Sequence, residues 1–262
     1  MDILFIAAGA LVGSIIGLTG VGGGSLMTPI LVLGFGVTPS IAVGTDLLYA
    51  ALTKASGVFF HQINHTIDWK VVALLGSGSI PTSMATIFFL GQIKELGVNY
   101  DGIMMKTLSI MLILTAFIIV IKNHILSFTH HKSTNNKFLL ILYNYRPQIT
   151  IVCGICLGFL VTISSVGAGA IGSAILFLLY PSKKPISIVG TDLAHAVPLT
   201  AIAGSGHLYF GTIDFNLLTG LLIGGIPSVY IGSLIGKKLP DNLLRPVIAL
   251  LLFSMGIKLY LY

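Results

Sequence analysis

The chain has 262 residues, of which 55% are hydrophobic and only 8% are charged. A soluble domain carries roughly 25% charged residues, so this composition excludes a soluble enzyme and predicts an integral membrane protein. The net charge of +6 does not indicate a nucleic-acid partner, because the basic residues lie mostly between apolar segments, where they report membrane orientation.

The apolar segments predict an all-α polytopic membrane protein. Most approach the roughly 20 residues that a helix needs to span a hydrocarbon core of ~30 Å. The second segment of each half is short, and it predicts a half-helix or a re-entrant helix. The ten segments lie at residues 3–19, 24–36, 39–60, 69–90, 103–121, 148–164, 166–180, 185–206, 215–236 and 242–262.

A glycine-rich turn at residues 17–25 separates the first two apolar segments. Four glycines, Gly20, Gly22, Gly23 and Gly24, break the helix, and Ser25 is a candidate cap for the helix that follows. Free N–H groups and the positive end of a helix dipole make a helix N-terminus a site for anions. Irregular backbone at membrane depth lines a cavity or is buried in protein. The turn therefore predicts a substrate site, with close helix packing as the structural alternative.

A second break, in the middle of the chain, resembles the first in composition. Ser164, Ser165, Gly167 and Gly169 lie in it, and we predict that they too bind substrate. Paired broken helices in the two halves of a membrane protein are typical of a transporter's binding site. By contrast, Gly13-x-x-x-Gly17 and Gly154-x-x-x-Gly158 are patterns that favour close packing between helices.

The two halves are predicted to be repeats, at residues 1–121 and 148–262, separated by a polar segment at residues 122–147. Gly44-Thr45-Asp46-Leu47 recurs as Gly190-Thr191-Asp192-Leu193, an offset of 146 residues. The same offset relates His61 to His207, Thr66-Ile67-Asp68 to Thr212-Ile213-Asp214, and Ile80-Pro81 to Ile226-Pro227. Shared hydrophobicity alone does not produce such a register.

The repeats are predicted to be inverted, each with a broken helix pair and three spans. An odd number of crossings in each half places most basic residues on one side of the membrane, which the positive-inside rule makes cytoplasmic. That side receives Lys70, Lys122, Lys132, Lys137, Arg146, Lys183, Lys184, Lys237, Lys238 and Arg245, so the polar segment 122–147 is cytoplasmic. The other side receives Lys94, Lys106 and Lys258.

Ionisable residues inside the apolar segments are the other candidates for function. Asp46, Lys54, Asp192 and His195 are of this kind, and such residues usually face a cavity and pair with one another. We predict that Asp46 and Asp192 bind substrate with their neighbours Thr45 and Thr191, although capping of their own helices is an equal alternative. Asp46, Asp192 and His195 are candidate proton carriers, since a histidine titrates near neutrality.

Two further patterns are predicted to carry no chemistry. Residues 167–172 fit the dinucleotide fingerprint but lack the surrounding βαβ unit, so we expect no cofactor. His61 and His65 are spaced like zinc ligands but lack the glutamate of a zincin, so a polar loop is favoured over a metal site.

The residues also resemble a known family. Gly17-x-x-Gly20-x-Gly22-Gly23-Gly24-x-Leu-x-x-Pro29, followed by Val43-Gly44-Thr45-Asp46, is similar to the sulfite exporter TauE/SafE family of bacterial permeases, and the second copy fits that family's duplicated architecture. The resemblance covers nearly the whole chain. It implies a multi-pass transporter of the bacterial inner membrane for sulfur oxyanions such as sulfite, sulfonates or sulfoacetate. The second copy lacks the Gly-Gly-Gly run, so the halves are not expected to contribute equally.

These observations predict a secondary transporter for a small anion, with protons as a possible coupling ion. A channel-like anion pore is the first alternative, and an intramembrane enzyme is the second. The sequence offers no convincing nucleophile–base pair or metal site for an enzyme.

Overall fold

The computed structural model describes residues 3–19, 24–130, 144–236 and 241–261. Within these ranges the chain is helical and contains no strand. The helices are α1 (Ile3–Thr19), α2 (Gly24–Phe35), α3 (Pro39–Ile63), α4 (Trp69–Glu95), α5 (Tyr100–His130), α6 (Arg146–Ser164), α7 (Ala170–Leu179), α8 (Pro185–Tyr209), α9 (Phe215–Gly236) and α10 (Asp241–Leu261).

The protein is a multi-pass membrane protein. Five of the described helical stretches are long and apolar enough to cross a membrane: Trp69–Glu95, Tyr100–Ile121, Arg146–Ser164, Pro185–Tyr209 and Phe215–Gly232. Large apolar side chains, including Phe59, Phe88 and Phe117, lie on the outer surface with most of their area exposed. In a soluble protein such a surface would aggregate, whereas here it is the surface that lipid covers.

The helices follow the predicted apolar segments closely, with one notable difference. Helix α5 continues to His130, nine residues into the segment predicted as a polar loop from residue 122. Polar residues are compatible with a helix once it has left the hydrocarbon, so loss of hydrophobicity marks the membrane boundary rather than the helix end. Residues 131–143, which include the predicted cytoplasmic Lys132 and Lys137, lie outside the described residues.

Two of the helices in the described ranges are too short to span the membrane. Helix α2 has 12 residues and α7 has 10, which correspond to about 18 and 15 Å at 1.5 Å per residue. Between α6 and α7, Gly167 and Gly169 have φ angles of +126° and +127°, a conformation that glycine adopts without strain. An irregular connection therefore separates α6 from α7.

The two halves are joined by close helix contacts across the molecule. Helix α1 packs on α9, and α6 packs on α4. A Cβ atom added to Gly13 would lie 2.5 Å from the carbonyl oxygen of Gly225, and one added to Gly158 would overlap the carbonyl of Ser79. These glycines lie where helix backbones touch, as the small-residue patterns predicted.

Helices α3 and α8 pack against each other in the centre and run in opposite directions. Gly44, near the start of α3, lies against Thr212 beyond the end of α8, and Gly190, near the start of α8, lies against His61 near the end of α3. This antiparallel pair brings Asp46, Lys54, Asp192 and His195 into the interior.

Candidate functional site

Charged side chains are buried where α3 and α8 meet the starts of the short helices. Asp46 is fully buried, and Asp192 and Lys54 are 3% and 4% exposed. Burying such groups is unfavourable unless they are compensated, so residues of this kind in a membrane protein mark a functional site. The structure thus brings together residues of both halves that the sequence proposed separately.

Asp46 connects α3 to the short helix α2. It is the eighth residue of α3, so it does not cap its own helix, and that alternative from the sequence is wrong. The Thr28 hydroxyl of α2 donates a 2.5 Å hydrogen bond to its Oδ2 atom. Ser165, from the second break, lies beside the carboxylate with its hydroxyl outside hydrogen-bond geometry. The Oδ1 atom of Asp46 has no hydrogen-bond partner among the described residues.

Asp192 occupies the corresponding place in the second half. It is the eighth residue of α8, and again it does not cap its own helix. Its carboxylate instead packs against Gly172, in the first turn of the short helix α7, where a Cβ atom would overlap its Oδ1 atom. A negative charge near a helix N-terminus is stabilised by the helix dipole. Each aspartate therefore lies beside the first turns of one short helix.

Thr45 and Thr191 make hydrogen bonds between the halves. The Thr45 hydroxyl accepts the backbone N–H of Asp214 at 3.2 Å, and the Thr191 hydroxyl accepts that of Asp68 at 3.0 Å. Asp68 and Asp214 in turn accept N–H groups from the first turns of α4 and α9. These contacts give both threonines a structural role, and a substrate role for them stays a prediction.

Lys54 is the central residue of the cluster, and the sequence pattern did not predict it as part of the site. Its ammonium donates a 3.1 Å hydrogen bond to the carbonyl oxygen of Ala168, in the second break. The charges of Asp192 and Asp46 both act on it. Its spacing could have revealed it, because positions i and i+8 share a helix face and Lys54 follows Asp46 by eight residues.

His195 lies beside this cluster and joins it to α4. Its Nε2 atom is 2.8 Å from the Ser79 hydroxyl, and its ring interacts with the charge of Lys54. Its Nδ1 atom has no hydrogen-bond partner in the described part of the chain. Tyr49, which takes the corresponding place in the first half, packs its ring against Gly225, the counterpart of Ser79. The site is thus asymmetric.

The predicted residues of the second break differ in their surroundings. The Ser164 hydroxyl donates to the Leu160 carbonyl at 2.6 Å, so it is engaged in its own helix. Ser165 is 3% exposed, and its hydroxyl has no hydrogen-bond partner within the residues described. Gly169 lies at the N-cap of α7, where no side chain caps the helix. The Ser165 hydroxyl is therefore a polar group that remains available, whereas the start of α7 faces the Asp192 carboxylate.

Of the turn predicted at residues 17–25, residues 17–19 belong to α1, and residues 24 and 25 belong to α2. Helix α2 begins at Gly24, so buried Ser25 lies inside its first turn. The prediction that Ser25 precedes the helix as its cap is therefore wrong. Gly20, Gly22 and Gly23 lie outside the described residues, and their predicted role in substrate binding stays a prediction.

The histidines at the helix ends close turns. The Nδ1 atom of His61 is 2.8 Å from the Thr66 hydroxyl, and that of His207 is 3.1 Å from the Thr212 hydroxyl. Each threonine also donates to the backbone carbonyl of its histidine. A search of the described residues finds no group of three or more His, Cys, Asp or Glu side chains that could hold a metal ion.

Membrane-spanning helices, two short helices and a buried charged cluster between them define a membrane transporter. The comparisons give its family. The sequence profile described as "Sulfite exporter TauE/SafE" matches residues 5–259, and the chain belongs to this family.

Several relatives are similar over nearly their full length. The probable membrane transporter protein YjnA of Bacillus subtilis is 36% identical, with 99% of this chain and 100% of the relative covered. The probable membrane transporter protein MJ0441 of Methanocaldococcus jannaschii is 28% identical, with 97% and 93% covered. A third relative, the probable membrane transporter protein YdhB of Bacillus subtilis, is also 28% identical, with 92% of each chain covered. No solved structure matches the chain significantly.

Proposed function

We propose that this protein is a secondary transporter for a small anion of the sulfur-oxyanion class, such as sulfite, a sulfonate or sulfoacetate. The family supplies the substrate class, and the buried ammonium of Lys54 at the second break is the observation that carries an anionic substrate. An ammonium in a dry interior attracts an anion far more strongly than one in water does. The membrane is the bacterial inner membrane.

In this proposal the two halves are inverted repeats. Equivalent helices related by a two-fold axis in the membrane plane run in opposite directions, and α3 and α8 do so. The contacts of Thr45 with Asp214 and of Thr191 with Asp68 are also equivalent at the offset of 146 residues. Alternating access would then come from movement of one half against the other around the charged cluster.

The proposed orientation places the basic side in the cytoplasm. The Lys183 ammonium pairs with Asp68, two residues before Lys70, so these basic residues share one end of the helix bundle. Lys94 donates to the carbonyl of Phe210 at the opposite end. The segment 122–147 belongs to the basic end, because it precedes α6, which runs parallel to α4. A Cβ atom added to Gly154 of α6 would meet Leu75 of α4, and one added to Gly158 would meet Ser79, so the contacts advance together along both helices.

Two other functions make different predictions. A channel-like anion pore would conduct current without coupling to protons, and an intramembrane enzyme would convert its substrate. The relatives are named membrane transporters, which favours transport over catalysis. Proton coupling through Asp46, Asp192 or His195 is part of the proposal for uptake, because an inside-negative membrane opposes anion entry by about 2.3 kcal/mol per charge per 100 mV.

Counterflow in proteoliposomes tests the proposal. Vesicles that contain the purified protein and unlabelled sulfite should accumulate labelled sulfite transiently, and methanesulfonate or sulfoacetate inside should also drive this exchange. Chloride and phosphate serve as control anions. Equal exchange of all anions together with measurable conductance would identify a pore, and no exchange of any sulfur oxyanion would contradict the proposed substrate class.

A further inference from the structure

We infer that Lys54 is the residue that binds the transported anion, and that the site accepts the anion together with a proton on Asp46. The inference rests on the proposed function and names the groups that recognise the substrate. It concerns described residues of α3, α8 and the connection between α6 and α7.

Lys54 has unused hydrogen-bonding capacity. A lysine ammonium carries three donors, and the hydrogen bond to Ala168 is the one that it makes within the described residues. A buried polar group left without partners is unfavourable, so the remaining donors are available to a ligand with acceptor oxygens. Oxyanions such as sulfite and sulfonates provide three oxygens, which suits an ammonium as a point charge.

Other donors surround the position that such an anion would take. Ala168, which accepts from Lys54, lies two residues before the start of α7, whose first turn no side chain caps. Ser165, three residues earlier, is buried with its hydroxyl free of partners in the described chain. The ammonium and the Ser165 hydroxyl therefore lie at the same break, and both can donate to an anion there.

The charge of the cluster determines what must accompany the anion. When all three groups are ionised, Asp46 and Asp192 carry two negative charges against the single positive charge of Lys54, on which both act. An anion added to this net negative site would be repelled in a region of low dielectric. One proton on a carboxylate restores the original net charge, so binding of the anion and binding of a proton favour each other.

Asp46 is the carboxylate that takes this proton. Its Oδ2 atom accepts from Thr28, but its Oδ1 atom has no donor among the described residues. A carboxylate with few donors is less stabilised in its charged form, whereas the carboxylate of Asp192 lies against the first turn of α7, whose dipole favours its charge. The other titratable groups in reach of the cluster are Asp192 and His195 on α8 and Tyr49 on α3, whereas α2 and α7 contain none.

The site is built in one half only. The residue equivalent to Lys54 at the offset of 146 is Thr200, whose hydroxyl donates to the carbonyl of Ala196 within its own helix. The pseudo-symmetric molecule therefore has a single ammonium in its interior cluster among the described residues. This predicts one anion and one proton per transporter.

Binding to the purified protein tests both parts of the inference. Methanesulfonate is a suitable probe, because it stays an anion at all relevant pH values, and sulfite is the second probe. Calorimetry in weakly buffered solution with a pH dye measures the anion bound and the protons taken up. The wild type should take up one proton for each methanesulfonate. Lys54→Met should weaken binding about 10- to 100-fold, the effect of losing a charged hydrogen bond, and Lys54→Arg should retain part of it.

Asp46→Asn should bind methanesulfonate without proton uptake, because the amide imitates the neutral acid. Lys94→Met is the matched control for Lys54→Met, since Lys94 also donates to a carbonyl but lies at the end of the bundle. Asp214→Asn is the control for Asp46→Asn, because asparagine caps a helix as well as aspartate does.

The outcomes separate the inference from the proposed function. If the wild type binds neither probe, the proposed function fails. Lys54→Met and Lys54→Arg are first verified as folded by size-exclusion chromatography. If the wild type binds a probe and both variants bind it with the affinity of the wild type, Lys54 is not the anion ligand. If both Lys54 variants misfold, and added probe does not restore the fold of Lys54→Arg, Lys54 has a structural role only. Full proton uptake by Asp46→Asn would overturn the assignment of the proton to Asp46.

Discussion

At the scale of single residues, the two halves differ at one pair of equivalent contacts. His195 of the second half bonds to Ser79 of the first, and Tyr49 of the first half packs against Gly225 of the second. The larger tyrosine fills, at Gly225, the space that the Ser79 side chain takes beside His195, so Gly225 and Tyr49 compensate each other. Volume at a packed contact is conserved in this way because overpacking is destabilising.

The compensation can be tested with a double-mutant cycle. A Cβ atom on Gly225 would lie 2.6 Å from Cε2 of the Tyr49 ring, so Gly225→Ala should destabilise the protein by about 1–3 kcal/mol. Tyr49→His should relieve the overlap and restore part of the loss. The thermal midpoint in detergent measures this. Gly76→Ala is the control, because its Cβ would meet only Ile80 at 3.7 Å. Additive effects of Gly225→Ala and Tyr49→His would contradict a direct contact.

Asp68, outside the membrane-spanning segments, should make stability depend on pH. Burial raises its pKa, but the hydrogen bond from Lys183 and those from the N–H groups of Val71 and Lys70 outweigh burial and hold it below the ordinary value. A carboxyl with a depressed pKa stabilises the fold fully above the unfolded pKa of about 3.9 and loses this effect as pH falls through its folded pKa.

Asp68→Asn should therefore lower the thermal midpoint near neutrality. The midpoint of this variant should also decrease less than that of the wild type as the pH drops below about 4. The amide preserves the helix cap, so the change isolates the ion pair. Asp214→Asn is the matched control, because Val37 stands at the position equivalent to Lys183. An unchanged acid branch in Asp68→Asn would show that other groups control the pH dependence.

At the scale of elements, the sequence predicted the helices well and their contacts only in part. Membrane-length apolar segments are a strong signal, because lipid requires continuous apolar surface. The end of α5 was missed, since no such requirement applies beyond the hydrocarbon. Lys54 was left out of the site because comparison of the halves emphasises matched residues, whereas Lys54 has Thr200 as its counterpart. The bonds of Thr45 and Thr191 to the opposite half depend on packing that a sequence pattern does not encode.

The contact between α6 and α4 provides an element-scale prediction. Gly158→Ala would force its Cβ against the carbonyl of Ser79 and within 2.8 Å of its Cα atom, so the two backbones would have to separate. Stability should fall by about 1–3 kcal/mol, and the His195–Ser79 bond should be disturbed as well. Gly34→Ala, whose Cβ would have its nearest neighbour 4.0 Å away, should be tolerated. Equal yields of monodisperse protein for both variants would contradict the packing.

At the scale of the whole molecule, the contacts sort the charged helix ends into two groups. Lys183 pairs with Asp68 at the start of α4, whereas Lys94 at its other end bonds to Phe210 beyond α8. Since α4 is long enough to cross the membrane, we expect these groups on opposite sides of it. An even number of crossings per half would instead place equivalent ends of the two halves on the same side, and the antiparallel α3 and α8 argue against that.

Cysteine labelling decides the orientation. In a background with Cys153→Ala and Cys156→Ala, Lys70→Cys and Lys184→Cys should react with an impermeant maleimide only from the cytoplasmic side, because the positive-inside rule places the basic end there. Lys94→Cys and Lys258→Cys should react only from the outside. All four lysines are exposed, so accessibility depends on sidedness and not on burial. Intact spheroplasts and inverted vesicles provide the two directions. Labelling of Lys184→Cys and Lys94→Cys from the same side would refute the inverted arrangement. If each group of cysteines instead reacts only from the side opposite to the predicted one, the inverted arrangement is preserved and only the orientation is reversed.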